Sequence, residues 1–529
     1  MSKNKTLRAI LALFAAVLIA CTALVPAFAA ALPDSTGSLT IHKYLMGDVS
    51  KAGDPNDGTT ITKLPDGATP LNGITFKLYK ITLPSSGESP VDGDYAWDNY
   101  TNPTKLTSGG IDFTLTPAAT PSITTTGGTD EAPLGVATAS NLPQGLYFVV
   151  EQPNAAVVSP AAPFVVAVPM TNADGDGWIK DVHVYPKNED VTIVKEVKDP
   201  SVDIGQTQEY TITVSVPTDI AAFKKFNIVD VLDPAQSFLN NAAFKVIGTA
   251  RDSAQTYEFT AGTSEDYTVT LPSDGNSNTL TVAFNLSTMS EQNLANLAKC
   301  KELAITFQVT VKEGILDNVD NTIKNTAKVE FTNRFSEDKE RESNETKYHT
   351  GSVEINKVDA NTAKGDSVNG AQFQIAASYE DAVAGRFIKR DDDNGIVRSG
   401  AANYSTANDW IETATGGTED KPAKAVFAGL ETYQIDSSDA TVYNSYWLVE
   451  VQAPDGYNLL AAPVQVTFTA NDLTDAKAYT LDVTIQNTTD FTLPKTGGMG
   501  TILFTAGGIA LVGAAIVIFF VGMKKKKNK

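Results

Sequence analysis

The sequence predicts an all-β fold: three tandem Ig-like β-sandwich domains between a secretory leader and a carboxyl-terminal transmembrane helix. Three features point there. Short alternating runs such as Ser38-Leu39-Thr40-Ile41-His42, Tyr210-Thr211-Ile212-Thr213-Val214 and Val464-Gln465-Val466-Thr467-Phe468 recur between turn-like segments. A period of two with β-branched enrichment marks half-buried strands. Helical periodicity is scarce, with Ser290 to Lys299 the best candidate, and the two ends of the body repeat one another, which sets the domain count.

The chain has 529 residues, which suits about three domains. It opens with Lys3, Lys5 and Arg8, an apolar run from Ala9 to Val25, and Ala27-Phe28-Ala29. This is the order of a secretory signal, assigned to residues 1–31 with cleavage after Ala29 or Ala31. Leu18-Ile19-Ala20-Cys21 also resembles a lipobox. The first domain is expected over 32–188 and the third over 351–490. Gly37-Ser38-Leu39-Thr40-Ile41-His42-Lys43 matches Gly351-Ser352-Val353-Glu354-Ile355-Asn356-Lys357. Leu71-Asn72-Gly73-Ile74-Thr75-Phe76 matches Val368-Asn369-Gly370-Ala371-Gln372-Phe373, and Tyr147-Phe148-Val149-Val150-Glu151 matches Tyr446-Trp447-Leu448-Val449-Glu450. From Glu151 to Asn188 and from Glu450 to Asn487 the separation is the same, 37 residues. A different domain fills 189–350, and its charged end, Ser336 to His349, reads as a linker. Residues 491–529 hold Leu493-Pro494-Lys495-Thr496-Gly497, an uncharged apolar run from Thr501 to Val521, and Lys524 to Lys527. About 20 apolar residues suffice to span a bilayer as a helix, and the lysines would stay on the cytoplasmic side.

The net charge of -21 is spread along the chain, which argues against nucleic acid as a partner and suits an exported surface protein. Once the leader is removed only Cys300 remains, so no intrachain disulfide can form. Robustness must come from elsewhere. The three histidines, His42, His183 and His349, supply neither a zinc pair nor a triad, and His42 is expected on the face opposite Lys43. Asp174-Gly175-Asp176-Gly177 and Asp391-Asp392-Asp393-Asn394 offer oxygen ligands of the kind Ca²⁺ takes, but neither has EF-hand spacing, and both read as acidic turns. No metal and no cofactor are expected.

Each repeated copy has a lysine in its first strand, a glutamate in a late strand and an asparagine at its end. A lysine amine can attack an asparagine side-chain amide, release ammonia and leave an isopeptide cross-link. The amine must be neutral, so burial must lower its pKa. The carboxyl must stay protonated to polarise the amide and shuttle the proton, so burial must raise its pKa. A sandwich core does both. The trio Lys357, Glu450 and Asn487 fits, with Val353, Ile355 and Lys357 sharing one strand face. Lys43, Glu151 and Asn188 are the analogous trio in the first domain, where formation of the bond is left open.

The segment Tyr446-Trp447-Leu448-Val449-Glu450-Val451-Gln452-Ala453-Pro454-Asp455-Gly456-Tyr457 resembles the E-box of Gram-positive pilins, departing at Val451, where threonine is usual. The outer domains resemble the CnaB-type sandwich. The middle domain resembles the CnaA type, in which an aspartate replaces the glutamate. Val191-Thr192-Ile193-Val194-Lys195 is its first strand, and the resemblance implies Lys195, Asp230 and Asn325 as its trio, with Lys198 and Asn333 as alternates. Trp178-Ile179-Lys180-Asp181-Val182-His183-Val184-Tyr185-Pro186-Lys187-Asn188 resembles the pilin motif, whose lysine, here Lys187, joins one subunit to the next. Pro186, with no N–H to give, would end the ladder and leave Lys187 at a domain edge. The carboxyl-terminal motif, span and basic tail resemble a cell-wall sorting signal, cut by a sortase between Thr496 and Gly497.

From leader to tail the chain resembles the major, shaft-forming subunit of sortase-assembled pili. The resemblance implies a surface fimbrium anchored in the cell wall, with identical subunits joined head to tail from Thr496 to Lys187 by a pilin-specific, class C sortase. It further implies minor pilins, attachment to peptidoglycan by a housekeeping sortase, a host surface ligand in some cases, and no catalytic turnover. The alternative is a monomeric sortase-anchored adhesin that binds a host matrix protein. Lys187 separates the two.

Overall fold

The computed structural model describes residues 36–489, apart from 47–55, 62, 129–133, 155–156, 176, 263–264, 273–276 and 362–367. The expected leader, the Leu493–Gly497 pentapeptide, the apolar run and the lysine tail lie outside the described residues. Among the described residues no helix is long and apolar enough to cross a membrane. The chain divides into two compact units, residues 1–349 and 350–529.

In the first unit the sheets form two sets. One uses strands between Thr36 and Glu189, the other strands between Ile193 and His349. In the first set, strand Thr36–His42 lies between Val136–Pro143, antiparallel, and Asp181–Val184, parallel. Just beyond it, Tyr44–Met46 runs parallel to Lys187–Glu189. A six-stranded sheet built around Thr75–Thr82 and Gly145–Glu151 faces these strands. Alternation explains the packing. Leu39 and Ile41 from the first strand meet Phe76, Leu78, Tyr147 and Val149 in one core cluster. Burial of each such side chain stabilises by about 1.5–3 kcal/mol.

The second set is a larger sandwich. Ile193–Val197, Thr207–Ser215 and Cys300–Val311 head one sheet, and Lys225–Val231 and Ala327–Thr332 lie in the other. Its first strand starts two residues later than the sequence pattern suggests, because pairing with Thr207–Ser215 begins at Ile193. The helix expected near 290 runs over Glu291–Lys299, with Ser290 accepting from the Asn293 N–H as its cap. Ser336 to His349 is not a linker. Asp338–Glu342 is an edge strand paired with Ala327–Thr332, and Thr346–His349 pairs with Thr322–Asn325. The Asp-Lys-Glu-Arg-Glu run is polar because it is an edge strand that contributes no buried face.

The second unit repeats the first set's plan. Gly351–Asp359 lies between Ala423–Leu430, antiparallel, and Thr480–Asn487, parallel. Opposite stand Gln372–Ala376, Ser445–Gln452 and Val464–Thr467. Val353, Ile355, Phe373, Ile375, Phe427, Tyr446 and Leu448 fill the core. A short helix, Tyr379–Val383, and small strand pairs are inserted after Gln372–Ala376, where no period-two pattern signals them.

Candidate functional sites: a buried lysine, acid and asparagine in each sandwich

The parallel pairing of first and last strands determines the geometry of the outer trios. Asn188 stands opposite Leu45, two residues past Lys43, and Asn487 stands opposite Asp359, two residues past Lys357. Because side chains alternate along a strand, lysine and asparagine in each copy project to the same side. The acid arrives from the facing sheet, on Gly145–Glu151 in one copy and Ser445–Gln452 in the other.

In the first copy all three side chains are in contact. Lys43 Nζ lies 2.7 Å from Glu151 Oε2 and donates to Asn188 Oδ1. Asn188 Nδ2 donates to Glu151 Oε1 at 2.6 Å. Lys43 has no solvent exposure. Burial pulls its amine down to about 8, opposed by Glu151 and aided by the nearby charge of Lys187. A pKa near 8 leaves a usable neutral fraction at physiological pH. His42 is half-buried, with Nε2 2.9 Å from His183 Nδ1 and its ring stacked on Tyr185, and burial followed by the His183 charge lowers it to about 4.

In the last copy the acid and amide are engaged and the amine is turned aside. Asn487 Nδ2 donates to both Glu450 oxygens at 2.8 Å and to the Asn458 carbonyl at 2.9 Å. Lys357, also fully buried, donates to the carbonyls of Val358 at 3.2 Å and Ile485 at 3.4 Å. Burial lowers its pKa as well. Asn487 Oδ1 is buried and has no partner among the described residues.

In the middle sandwich Lys195 and Asp230 form a fully buried ion pair from opposite sheets. Lys195 Nζ sits 4.4 Å from the Tyr210 ring centre and 5.9 Å from that of Phe307. Burial lowers Lys195 to about 8, and burial raises the Asp230 carboxyl against the pull of Lys195. The Asn325 amide lies against Asp230 and the Tyr210 hydroxyl. Asn325 Nδ2 and Asp230 Oδ1 are buried without partners among the described residues. The alternates lie elsewhere. Asn333 Oδ1 accepts from the N–H groups of Phe335 and Glu337 in a turn, and Lys198 is exposed. The sequence reading missed Asn344, whose amide clamps the Lys195 backbone, accepting from its N–H at 3.0 Å and donating to its carbonyl at 2.9 Å. An Asn six residues before the end of the middle domain gives no pattern that would have drawn attention to it.

Lys187 opens the short strand Lys187–Glu189, the edge of a three-stranded sheet. Pro186 breaks the pairing between Val184 and Lys187, although its carbonyl still accepts from the Tyr44 N–H at 3.3 Å. The Lys187 side chain is half-buried, and that burial lowers its pKa. Among the described residues no group of three or more His, Cys, Asp or Glu side chains could hold a metal. The Asp391 carboxylate instead caps its own turn, accepting from the N–H groups of Asp393 and Gly395.

Three family models match the chain. Residues 34–189 match the Gram-positive pilin subunit D1, N-terminal domain. Residues 351–482 match a prealbumin-like fold domain, and 485–529 match the LPXTG cell wall anchor motif. The chain carries a Gram-positive pilin domain and an LPXTG anchor and is homologous to Actinomyces fimbrial subunits. This pilin is 29% identical to the type 2 fimbrial subunit of Actinomyces naeslundii, over 94% of its own length and 91% of the relative's. It is 26% identical to the type 1 fimbrial subunit of Actinomyces viscosus, over 94% and 92%. The structure of the fimbrial protein FimP from Actinomyces oris superposes with a TM-score of 0.51 at 21% identity, covering 87% of this pilin and 99% of that chain. The major pilin SpaD from Corynebacterium diphtheriae is also similar, at 24% identity, 87% and 99% coverage and a TM-score of 0.48. The pilin is thus an all-β structural subunit of a cell-wall-anchored surface fimbrium, not an enzyme.

Proposed function

We propose that this pilin forms the shaft of a covalent pilus, in which a class C sortase joins Thr496 of one subunit to Lys187 of the next. The observation that carries this reading is Lys187 itself. It stands on an edge strand directly before the buried Asn188, in a chain whose end matches the anchor motif, and burial makes its amine easier to deprotonate. The sortase cysteine attacks the Thr496 carbonyl, the Thr496–Gly497 bond breaks, and the neutral Lys187 amine displaces the enzyme from the acyl group. Minor pilins complete the fibre, a housekeeping sortase transfers it to peptidoglycan, and a host surface ligand is engaged where the fibre serves adhesion.

The buried trios act once each, by closing isopeptide bonds from Lys43 to Asn188, Lys195 to Asn325 and Lys357 to Asn487. Tension entering a subunit at Lys187 and leaving at Thr496 runs through the second and third of these bonds. Residues 196–324 and 358–486 are then bypassed and carry no load. Residues 32–186 lie off this path, so the first bond serves the stability of the sandwich that presents Lys187, not the transmission of force. The cross-links take the place of the disulfides that the composition forbids. The test of polymerisation is the Lys187→Ala variant expressed with its sortase. High-mass ladders on the cell surface should disappear while the monomer is still anchored; an unchanged ladder would overturn the assignment.

A further inference from the structure

The two outer sandwiches share a backbone feature that the side-chain trios do not account for. In the first, the Ala161 N–H donates to Asn188 Oδ1 at 2.7 Å and to Glu151 Oε2 at 3.1 Å. In the last, the Leu460 N–H donates to Glu450 Oε2 at 2.9 Å. Both donors lie 10 residues after the acid. Both loops are pinned at the same point. Ser159 N–H donates to the Glu189 carbonyl at 3.3 Å, and Asn458 N–H donates to the Thr488 carbonyl at 2.9 Å. Each anchoring carbonyl belongs to the residue directly after the reactive asparagine. Glu189 N–H returns a bond to the Ser159 carbonyl at 3.1 Å, and the Ser159 hydroxyl is held by Asp219 Oδ1 at 2.6 Å. Pro160 and Pro163 flank Ala161-Ala162 and carry no N–H of their own. A fixed N–H is therefore aimed at the amide oxygen of Asn188.

We infer that the Ala161 backbone N–H is the oxyanion donor for the first isopeptide bond; its counterpart in the last sandwich, the Leu460 N–H, bonds Glu450 Oε2 and would take up the partnerless Asn487 Oδ1 only as that amide is attacked. This rests on the reading that the trios cross-link. As Lys43 Nζ bonds to Cγ of Asn188, the carbonyl electrons move onto Oδ1, which already has the Ala161 N–H in line. Collapse re-forms the carbonyl and breaks the Cγ–Nδ2 bond. Glu151 gives a proton to Nδ2 through Oε1 and takes one from Nζ through Oε2, and ammonia leaves. The carboxyl group thus works on the nitrogen side and the backbone on the oxygen side. A preorganised donor on the developing charge is worth about 10²–10³ in rate.

The test replaces the amide at residue 161 with an ester, by incorporating lactic acid for alanine during cell-free translation of the ectodomain. This removes one N–H and keeps the shape. Intact mass and the cross-linked peptide pair containing Lys43 and Asn188 are followed after synthesis is stopped. The ester at 161 should slow ammonia loss from this pair about a hundredfold or more, and the same ester at Ala162 should not. Equal rates for the 161 ester and the natural chain would overturn the inference and leave the cross-link standing. No ammonia loss from this pair in the natural chain would overturn the underlying reading, and the inference with it. If the 161 ester fails to fold, the leucic-acid ester at 460 provides the same comparison for Lys357 and Asn487, with a hundredfold loss expected and an unchanged rate contradicting the assignment.

Discussion

In the first sandwich Lys43 touches both Glu151 and Asn188, whereas in the last Lys357 donates to two backbone carbonyls while Glu450 and the Asn458 carbonyl hold Asn487 without the lysine. The strand register is the same in both, with each asparagine opposite the second residue after the lysine. The separation of acid from asparagine is the same, and so is the pinned loop. Register and burial therefore bring the three groups within reach, and side-chain rotamers decide whether the amine is engaged. The copy with the better sequence match to the pilin E-box is the one whose amine must still swing. The first copy, off the tension path, is the one already assembled.

The comparison can be broken most severely at the asparagines. Asn487→Ala removes the last cross-link, which closes a loop of more than a hundred residues, and should cost about 4–5 kcal/mol of stability in that sandwich by calorimetry. Asn188→Ala should cost the first sandwich a similar amount and leave the last unchanged. Glu151→Ala goes further in one respect, because it strands a fully buried lysine without its acid. We expect about 3–5 kcal/mol from this alone. Glu450→Ala should strand Lys357 less severely, since the backbone carbonyls of Val358 and Ile485 remain. Equal losses in the two acid variants would erase the distinction drawn between the copies.

Acidity sharpens it further. The attacking amine must be neutral, and Lys43 holds its proton only below about 8. Because the neutral amine must act beside a protonated Glu151, the reactive pair carries one proton, and cross-linking of the first sandwich should slow about tenfold per pH unit above that value, where the proton is lost. In a chain that has not cross-linked, the folded state binds fewer protons at Lys43 than the unfolded state between about 8 and the ordinary lysine value. Stability should thus rise with pH across that window. The order of ammonia loss offers another comparison: time-resolved mass spectrometry should find the Lys43–Asn188 pair joined before Lys357–Asn487. The smallest expected effect is Asn344→Ala in the middle sandwich, which frees the Lys195 backbone and should cost about 1 kcal/mol.

Much of this was legible in the sequence because period-two alternation carries face as well as strand. Val353, Ile355 and Lys357 could be assigned to one face, and all three have zero exposure. Internal repetition supplied the acid and the asparagine of each outer copy. Other features were not legible. Ser336 to His349 looked like a linker because an edge strand with polar faces has the composition of one. The half-burial of Lys187 depends on strands 44–46 and 187–189 lying side by side, which no local pattern encodes. The Ala161 and Leu460 donors are backbone groups, and a backbone N–H has no letter in the sequence. The Ala-Ala-Pro that recurs shortly after both acids, at Ala161-Ala162-Pro163 and Ala461-Ala462-Pro463, was the one available trace.

The most direct test of the central claim is the intact mass of the folded ectodomain, residues 32–490, followed by mapping of its cross-linked peptides. Closure of all three trios predicts a mass lower by three ammonias, with Lys43 joined to Asn188, Lys195 to Asn325 and Lys357 to Asn487. A mass equal to that of the unmodified chain would mean that these buried amines and amides lie together without reacting, and would contradict the account.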